Sequence, residues 1–187
     1  EIVSINGGTE DGSVRPETSL EAMAGLKPAF DKDGSVTAAT SSPLTDGAAA
    51  VIVCSEDYAN KNSLEILAHI RGMAISGCSP EIMGIGPVIS SQKALKRAGI
   101  KLEDVDIIEM NEAFAAQSLA CVKELGIEMS KLNVHGGAIS IGHPLGASGA
   151  RITGKAASLL KETGKRYALS TMCVGGGQGC ATVLERV

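Results

Sequence analysis

The chain has 187 residues, 44% of them hydrophobic but only 2% aromatic, with 23 glycines and a formal net charge of −4. That length suits one domain, or one domain with pieces of another, and the acidic balance argues against a non-specific nucleic-acid binder. No apolar run approaches the roughly 20 residues that a bilayer span needs, and the opening Glu1-Ile2-Val3-Ser4 has neither the charged nor the apolar region of a secretory signal.

Residues 1–44 are punctuated by Gly7-Gly8, Asp11-Gly12, Arg15-Pro16, Lys27-Pro28 and Asp33-Gly34, and read as loop with a short helix over 20–26 capped by Thr18 or Ser19. Ala48–Cys54 is a continuous apolar run, a buried strand or a helix leading into one. A strand is expected over 66–74, and a helix over 90–98 that Gly99 ends. A strand over 105–110 precedes a helix over 113–125 whose apolar face runs through 114, 118, 121, 122 and 125 and which Gly126 stops. Residues 132–141 read as extended. A helix rich in Ala, Gly and Ser spans 147–163, and strands over 167–174 and 180–187 flank the glycine loop 175–179. The order β-α-β-α-β-α-β-β implies a layered α/β domain. A core poor in aromatics and rich in Gly and Ala favours close backbone approach.

Three clusters stand out at the ends of expected strands or on the loops that follow, where α/β proteins place ligand and catalytic groups. In Asn111-Glu112-Ala113-Phe114-Ala115, Asn111 is either a helix N-cap or an amide that orients a water or substrate oxygen. The stretch from Gly136 to Arg151 is a glycine-rich loop opening a helix. It lacks the Gly-Lys-Ser/Thr ending of a nucleotide P-loop, and His143 lies between glycines and Pro144, where little bulk buries it. The third cluster is Met172-Cys173-Val174-Gly175-Gly176-Gly177-Gln178-Gly179-Cys180. Cys173 ends a strand against a loop whose free N–H groups can stabilise a thiolate or an oxyanion. Cys54, Cys78 and Cys121 sit in apolar patterns and read as packing, as does Cys180. His135, His143, Cys173 and Cys180 match no compact zinc spacing, so no metal is expected. Five cysteines make a poor disulfide framework and suit a reducing compartment such as the bacterial cytoplasm. With no initiator Met, the chain reads as a piece of a longer protein.

The three clusters, in this order and at about this spacing, resemble the C-terminal signatures of the thiolase family: Asn-Glu-Ala-Phe-Ala, Gly-His-Pro-Leu-Gly and Cys-x-Gly-Gly-Gly-Gln-Gly. The segment Thr37 to Ala49 also resembles a thiolase stretch, so the likeness covers nearly the whole chain. It implies a layered thiolase-like fold in which residues 1–44 are the tail of a loop domain, 45–65 the last strand region of an N-terminal domain, and 66–187 the complete C-terminal domain. By the same resemblance, Cys173 is the acid/base cysteine. His143 activates the nucleophile and helps hold a thioester oxygen, Asn111 holds a water beside it, and the Gly175 N–H serves a second oxyanion hole. Ala38, Ser42, Met83, Ala113 and Phe114 line a pantetheine channel. The substrate is a coenzyme A thioester, with no covalently bound cofactor.

Family members place their acyl-accepting cysteine in a Cys-x-Ser-Gly context, and none of the five cysteines here has it. The chain is therefore expected to need an N-terminal thiolase half. The helix beginning at Ala147, with Gly149 and Gly154, suggests close packing against another backbone, hence self-association when that half is missing. Thr40-Ser41-Ser42-Pro43 departs from the Asn-Ala-Ser-Gly of biosynthetic thiolases, and Arg15-Pro16-Glu17-Thr18 with the closing Glu185-Arg186-Val187 resemble the fatty-acid β-oxidation type, which cleaves 3-ketoacyl-CoA to acyl-CoA and acetyl-CoA. The alternatives are acetoacetyl-CoA condensation and a non-catalytic acyl-CoA-binding half-enzyme. Ketoacyl-ACP synthases share the fold but use histidine pairs, against which Asn111 and Cys173 argue.

Overall fold

The computed structural model describes residues 2–187. Its centre is one open sheet in the order β1-β4-β3-β2, formed by β1 (Ala68–Gly77), β2 (Ile107–Met110), β3 (Tyr167–Val174) and β4 (Gln178–Arg186). β4 is antiparallel to both its neighbours, whereas β2 and β3 run parallel. A parallel pair needs a long crossover, and here it carries α4 (Ala115–Leu125), α5 (Ala138–Ile141) and α6 (Ser148–Thr163). α3 (Gly86–Ala98) links β1 to β2. The short α1 (Leu20–Ala24) and α2 (Glu56–Lys61) lie outside the sheet region, and Ser19 caps α1 as its sequence position suggests.

Strand alternation divides the core in two. Ile108, Met110, Leu169, Ala181 and Val183 point to one face, where α3 supplies Ala94 and Leu95 and α4 supplies Cys121. Ile107, Ala168 and Leu184 point to the other, under Ala156, Leu159 and Leu160 of α6. α3, α4 and α6 each end on a glycine in the left-handed conformation: Gly99, Gly126 and Gly164. α3 lies close on the sheet because glycines face each other at its start. A side chain on Gly86 would run into the Gln178 carbonyl, and one on Gly179 into the backbone of Gly86.

The layered α/β class stands, with one strand fewer than expected. Residues 132–141 contribute only an isolated bridge, Leu132 to Ile108, before the α5 turn. The reason is Asn133. Its backbone is left-handed (φ 44°), and its buried side chain takes the edge of β2 in place of a strand: Oδ1 accepts from Met110 N (2.8 Å) and Nδ2 donates to Met110 O (2.9 Å). The apolar run 48–54 is neither strand nor helix. Val51, Ile52 and Val53 are exposed, and so is Cys54, because a strand without a neighbour leaves its ladder groups unpaired. Cys78 is half-buried rather than core, while Cys121 is fully buried. β1 begins at Ala68 and runs on to Gly77, and β4 begins at Gln178 inside the expected loop. Gly154 of α6 is met within this chain, since a Cβ there would lie 3.1 Å from Val51 Cγ1.

Candidate active site

His143 follows α5, on a loop that two separate devices hold. Its N–H donates to Thr45 Oγ1 (3.2 Å), whose own hydroxyl donates to Pro43 O (2.7 Å). Gly142 (φ 93°) lets Thr45 lie directly on the loop, since any side chain at 142 would overlap it. The His143 Nδ1 is 2.6 Å from Ser148 Oγ, and Ser148 in turn donates to Pro144 O (3.1 Å). Burial, with the Arg151 guanidinium nearby, pulls the imidazole below its ordinary pKa, so the ring is neutral at physiological pH.

The Asn111-Glu112 cluster holds the same loop from the other side. Asn111 is not a helix cap, because that position at the start of α4 belongs to Phe114. It extends β2 by one bond, from its N–H to Thr171 O (3.0 Å). Its side chain is fully buried, and both Nδ2 and Oδ1 are without a partner. Such an amide costs about 1–3 kcal/mol per open group unless something fills the space, so Asn111 has both a donor and an acceptor ready for a bound group. Glu112 accepts from Asn133 Nδ2 (2.9 Å) and from Ile139 N (3.1 Å), and Gly137 leaves room for its carboxylate. Residues about 30 apart in sequence thereby become one cluster. Arg151 of α6 lies in the field of Glu109, Glu112 and Asp11 as well as His143. Glu109, on the same face of β2 as Asn111, is 2% exposed, and burial pushes its carboxyl up to about 7 against the attraction of Arg151.

Cys173 is the last residue but one of β3, on the α3 and α4 face. It is buried, and desolvation together with the neighbouring Cys121, Cys180 and Cys78 thiols pushes it up to about 11. It therefore rests as a thiol and not as the thiolate a strong base would need. Gly175, two residues on, is exposed in a turn, with open space where a side chain would be. Cys121 donates to Gly84 O (3.3 Å).

Ser42, Ala113 and Phe114 do meet. Ser42 N and Oγ both donate to Ala113 O (3.0 and 3.2 Å), Ser41 bridges to Phe114, and Phe30 stacks edge-on against Phe114 at 6.1 Å. Ala38 is exposed four residues earlier, at the start of a 3-10 turn. Met83 is half-buried in the 3-10 segment Pro80–Ile85, whose Gly84 packs on Gln117 of α4. Sequence reasoning passed over Thr45, Glu109, Glu112, Asn133, Ser148 and Arg151. For Glu109 a signal was available: a carboxylate inside the apolar run Val105–Met110 must be paired or neutral.

Among the described residues no three His, Cys, Asp or Glu side chains gather as metal ligands, and no helix is long and apolar enough to cross a membrane. A groove of about 450 Å³ lies apart from these clusters, between residues 50–56, 64–70 and α6.

Comparison with known proteins places the chain among relatives. The family model for the thiolase C-terminal domain matches residues 64–186, and that for the thiolase N-terminal domain matches residues 3–57. A 3-ketoacyl-CoA thiolase of Vibrio parahaemolyticus is 52% identical over all of this chain and 51% of its own length. Human mitochondrial 3-ketoacyl-CoA thiolase in complex with CoA superposes with a TM-score of 0.89 at 48% identity, covering 95% of this chain and 45% of that one. The acetyl-CoA acetyltransferase of Bacillus anthracis gives 0.92 at 46% identity, with the same coverage. The chain thus spans about half the length of the relatives it matches.

Proposed function

The chain belongs to the thiolase family, and we propose that it supplies the acid/base and oxyanion half of a 3-ketoacyl-CoA thiolase. In that reaction a 3-ketoacyl-CoA and coenzyme A become acyl-CoA and acetyl-CoA. The observation that carries the reading is the convergence of two sequence-distant motifs: Glu112 binds the Ile139 N–H of the His143 loop, beside an Asn111 amide buried with both polar atoms open.

In this mechanism a cysteine thiol from an N-terminal thiolase half attacks the 3-keto carbon as it loses its proton, and the Cα–Cβ bond breaks. Electrons pass to the thioester carbonyl of the leaving acetyl-CoA enolate. His143, neutral at working pH, takes the proton of the attacking thiol. Its ring and a water on Asn111 receive the charge that builds on oxygen, and each such donor contributes about 3–4 kcal/mol. The Gly175 N–H serves the second oxygen. Cys173 gives its proton to the enolate carbon, and acetyl-CoA leaves; the thiol of coenzyme A then gives its proton to Cys173 and takes the acyl group from the nucleophilic cysteine, whose sulfur regains its proton from His143. A thiol pushed up to about 11 begins in the protonated form that cleavage requires. The pantetheine arm lies along Ala38, Ser42, Met83, Ala113 and Phe114.

In this reading residues 1–44 end a loop domain, 45–65 belong to the N-terminal domain and 66–187 form the C-terminal domain. The N-terminal half then covers the groove between 50–56, 64–70 and α6, and the assembly is a homo-oligomer in a reducing compartment such as the bacterial cytoplasm. Five free thiols fit that setting.

The likeness to the acetyltransferase supports a second reading, condensation of two acetyl-CoA. One assay decides between them. The chain is paired with the N-terminal half of the Vibrio parahaemolyticus relative and given acetoacetyl-CoA and a long-chain 3-ketoacyl-CoA, and loss of the ketoacyl absorbance is followed. Faster thiolysis of the long-chain substrate supports the proposal. Turnover of acetoacetyl-CoA alone establishes the second reading, and no turnover of either refutes both.

A further inference from the structure

Three features outside the assigned motifs have chemical content: the buried Glu109–Arg151 pair, the thiols around Cys173, and the contact between His143 and Ser148. The third is tied most tightly by geometry. Ser148 is the first residue of α6 and is fully buried. A hydroxyl has one proton to give. Ser148 Oγ lies 3.1 Å from Pro144 O, an acceptor that has no proton of its own, so the hydroxyl proton points there. With the hydroxyl proton there, the 2.6 Å contact to His143 Nδ1 runs the other way, with Nδ1–H donating to Ser148 Oγ. One imidazole proton is thereby placed, and in a neutral ring the second nitrogen carries the lone pair.

We propose that Ser148 is a positioning residue that holds His143 as the Nδ1–H tautomer, leaving Nε2 free to take a proton from the attacking thiol. This rests on the reading of His143 as the base. The relay is short and covalently fixed: the carbonyl that receives the Ser148 proton belongs to the residue next to His143. The same Pro144 carbonyl accepts from the N–H groups of Ala147 and Ser148 (both 2.9 Å). The acceptor is thus locked by the first turn of α6, and ring orientation follows the helix. Serine suits the task because a fully buried carboxylate at 148, facing Arg151 one turn on, would raise the imidazole affinity for protons. A neutral hydroxyl fixes the tautomer without charging the ring.

The test is a long-range proton–nitrogen correlation spectrum of the nitrogen-15-labelled chain at mildly alkaline pH, with the His143 signals identified by their loss in His143→Gln. The wild-type ring is expected to show a protonated Nδ1 and an unprotonated Nε2. Ser148→Ala is expected to shift it toward Nε2–H, and Ser148→Thr to restore it. A wild-type ring protonated on Nε2, or a Ser148→Ala ring unchanged from wild type, overturns the proposal, and the wild-type spectrum alone decides even where a variant fails to fold. In the chain paired with an N-terminal half, Ser148→Ala is expected to lower kcat on the order of tenfold, the size of one neutral hydrogen bond, with KM unchanged. An altered tautomer with unaltered kcat also overturns it. Absence of thiolysis by the wild-type pair refutes the proposed function instead, while the spectra still decide what Ser148 does.

Discussion

Both faces of the four-stranded sheet bury an apolar cluster, but the ionisable groups they bury differ. Toward α6 the strands send Glu109, Asn111 and Ser170, where Ser170 meets Thr153 and Arg151 lies near both Glu109 and His143. Toward α3 and α4 they send Ile108, Met110, Leu169 and Cys173 against Cys121 and small helix residues. Burial acts on both faces but moves titrations in opposite directions. It keeps the imidazole of His143 neutral by lowering its pKa and keeps the thiol of Cys173 neutral by raising its own. Burial thus leaves both groups uncharged, one able to accept a proton and the other to give one.

The largest expected effect tests whether both faces are needed for chemistry. In the chain paired with an N-terminal half, His143→Ala and Cys173→Ser should each lower thiolysis about 10²–10⁴-fold, measured by ketoacyl absorbance. The chain alone should show none, since covalent catalysis has no acceptor. A variant of either face that keeps wild-type rates would reduce the comparison to packing. Next comes stability against pH. The folded Glu109 pKa of about 7 exceeds the ordinary carboxyl value of 4.5, so the folded chain holds more protons. The Glu109 contribution is fully present below about pH 4.5 and is lost as pH rises through 7. Its full span is about 3 kcal/mol. Urea titrations should show that Glu109→Gln flattens the decline between these limits, whereas Cys173→Ser should leave it in place. His143, lowered, acts in the reverse sense, costing stability as pH falls below the ordinary imidazole range.

Asn133→Ala should cost about 1–3 kcal/mol by leaving the Met110 N–H and C=O groups unpaired, again by urea denaturation. A cost near zero would mean that a backbone strand can replace the side chain. The smallest effect belongs to Cys121→Ser: under about 1 kcal/mol, because a hydroxyl can take over the bond to Gly84 O, with thiolysis nearly unchanged. A large loss of turnover without unfolding would give Cys121 a role that its packing position does not.

How much of this was legible depended on how local the cause is. β3 was readable to the residue, because its apolar run ends at a glycine turn. The helix stops at Gly99, Gly126 and Gly164 were readable because a left-handed terminus demands glycine. The extended reading of 132–141 failed because a single side chain, Asn133, satisfies the β2 edge that a strand was expected to satisfy. The apolar run 48–54 failed for a different reason, since burial requires a partner surface and hydrophobicity alone does not supply one. In the candidate site, His143, Cys173 and Asn111 were singled out by their motifs. Those acting through a partner, such as Ser148, Thr45 and Glu112, were not, because a serine or threonine beside a glycine loop looks like any other until distances are known.

The Gly86–Gly179 crossing has a hereditary side. Each position excludes a side chain because of the other element's backbone, not because of its own backbone angles, so no compensating substitution elsewhere on the same element can relieve it. A lineage carrying this crossing can change α3 or β4 only by moving both together. A saturation library of the gene should therefore show an empty column at each of these two glycines, set beside tolerant neighbours such as Gln92 and Thr182.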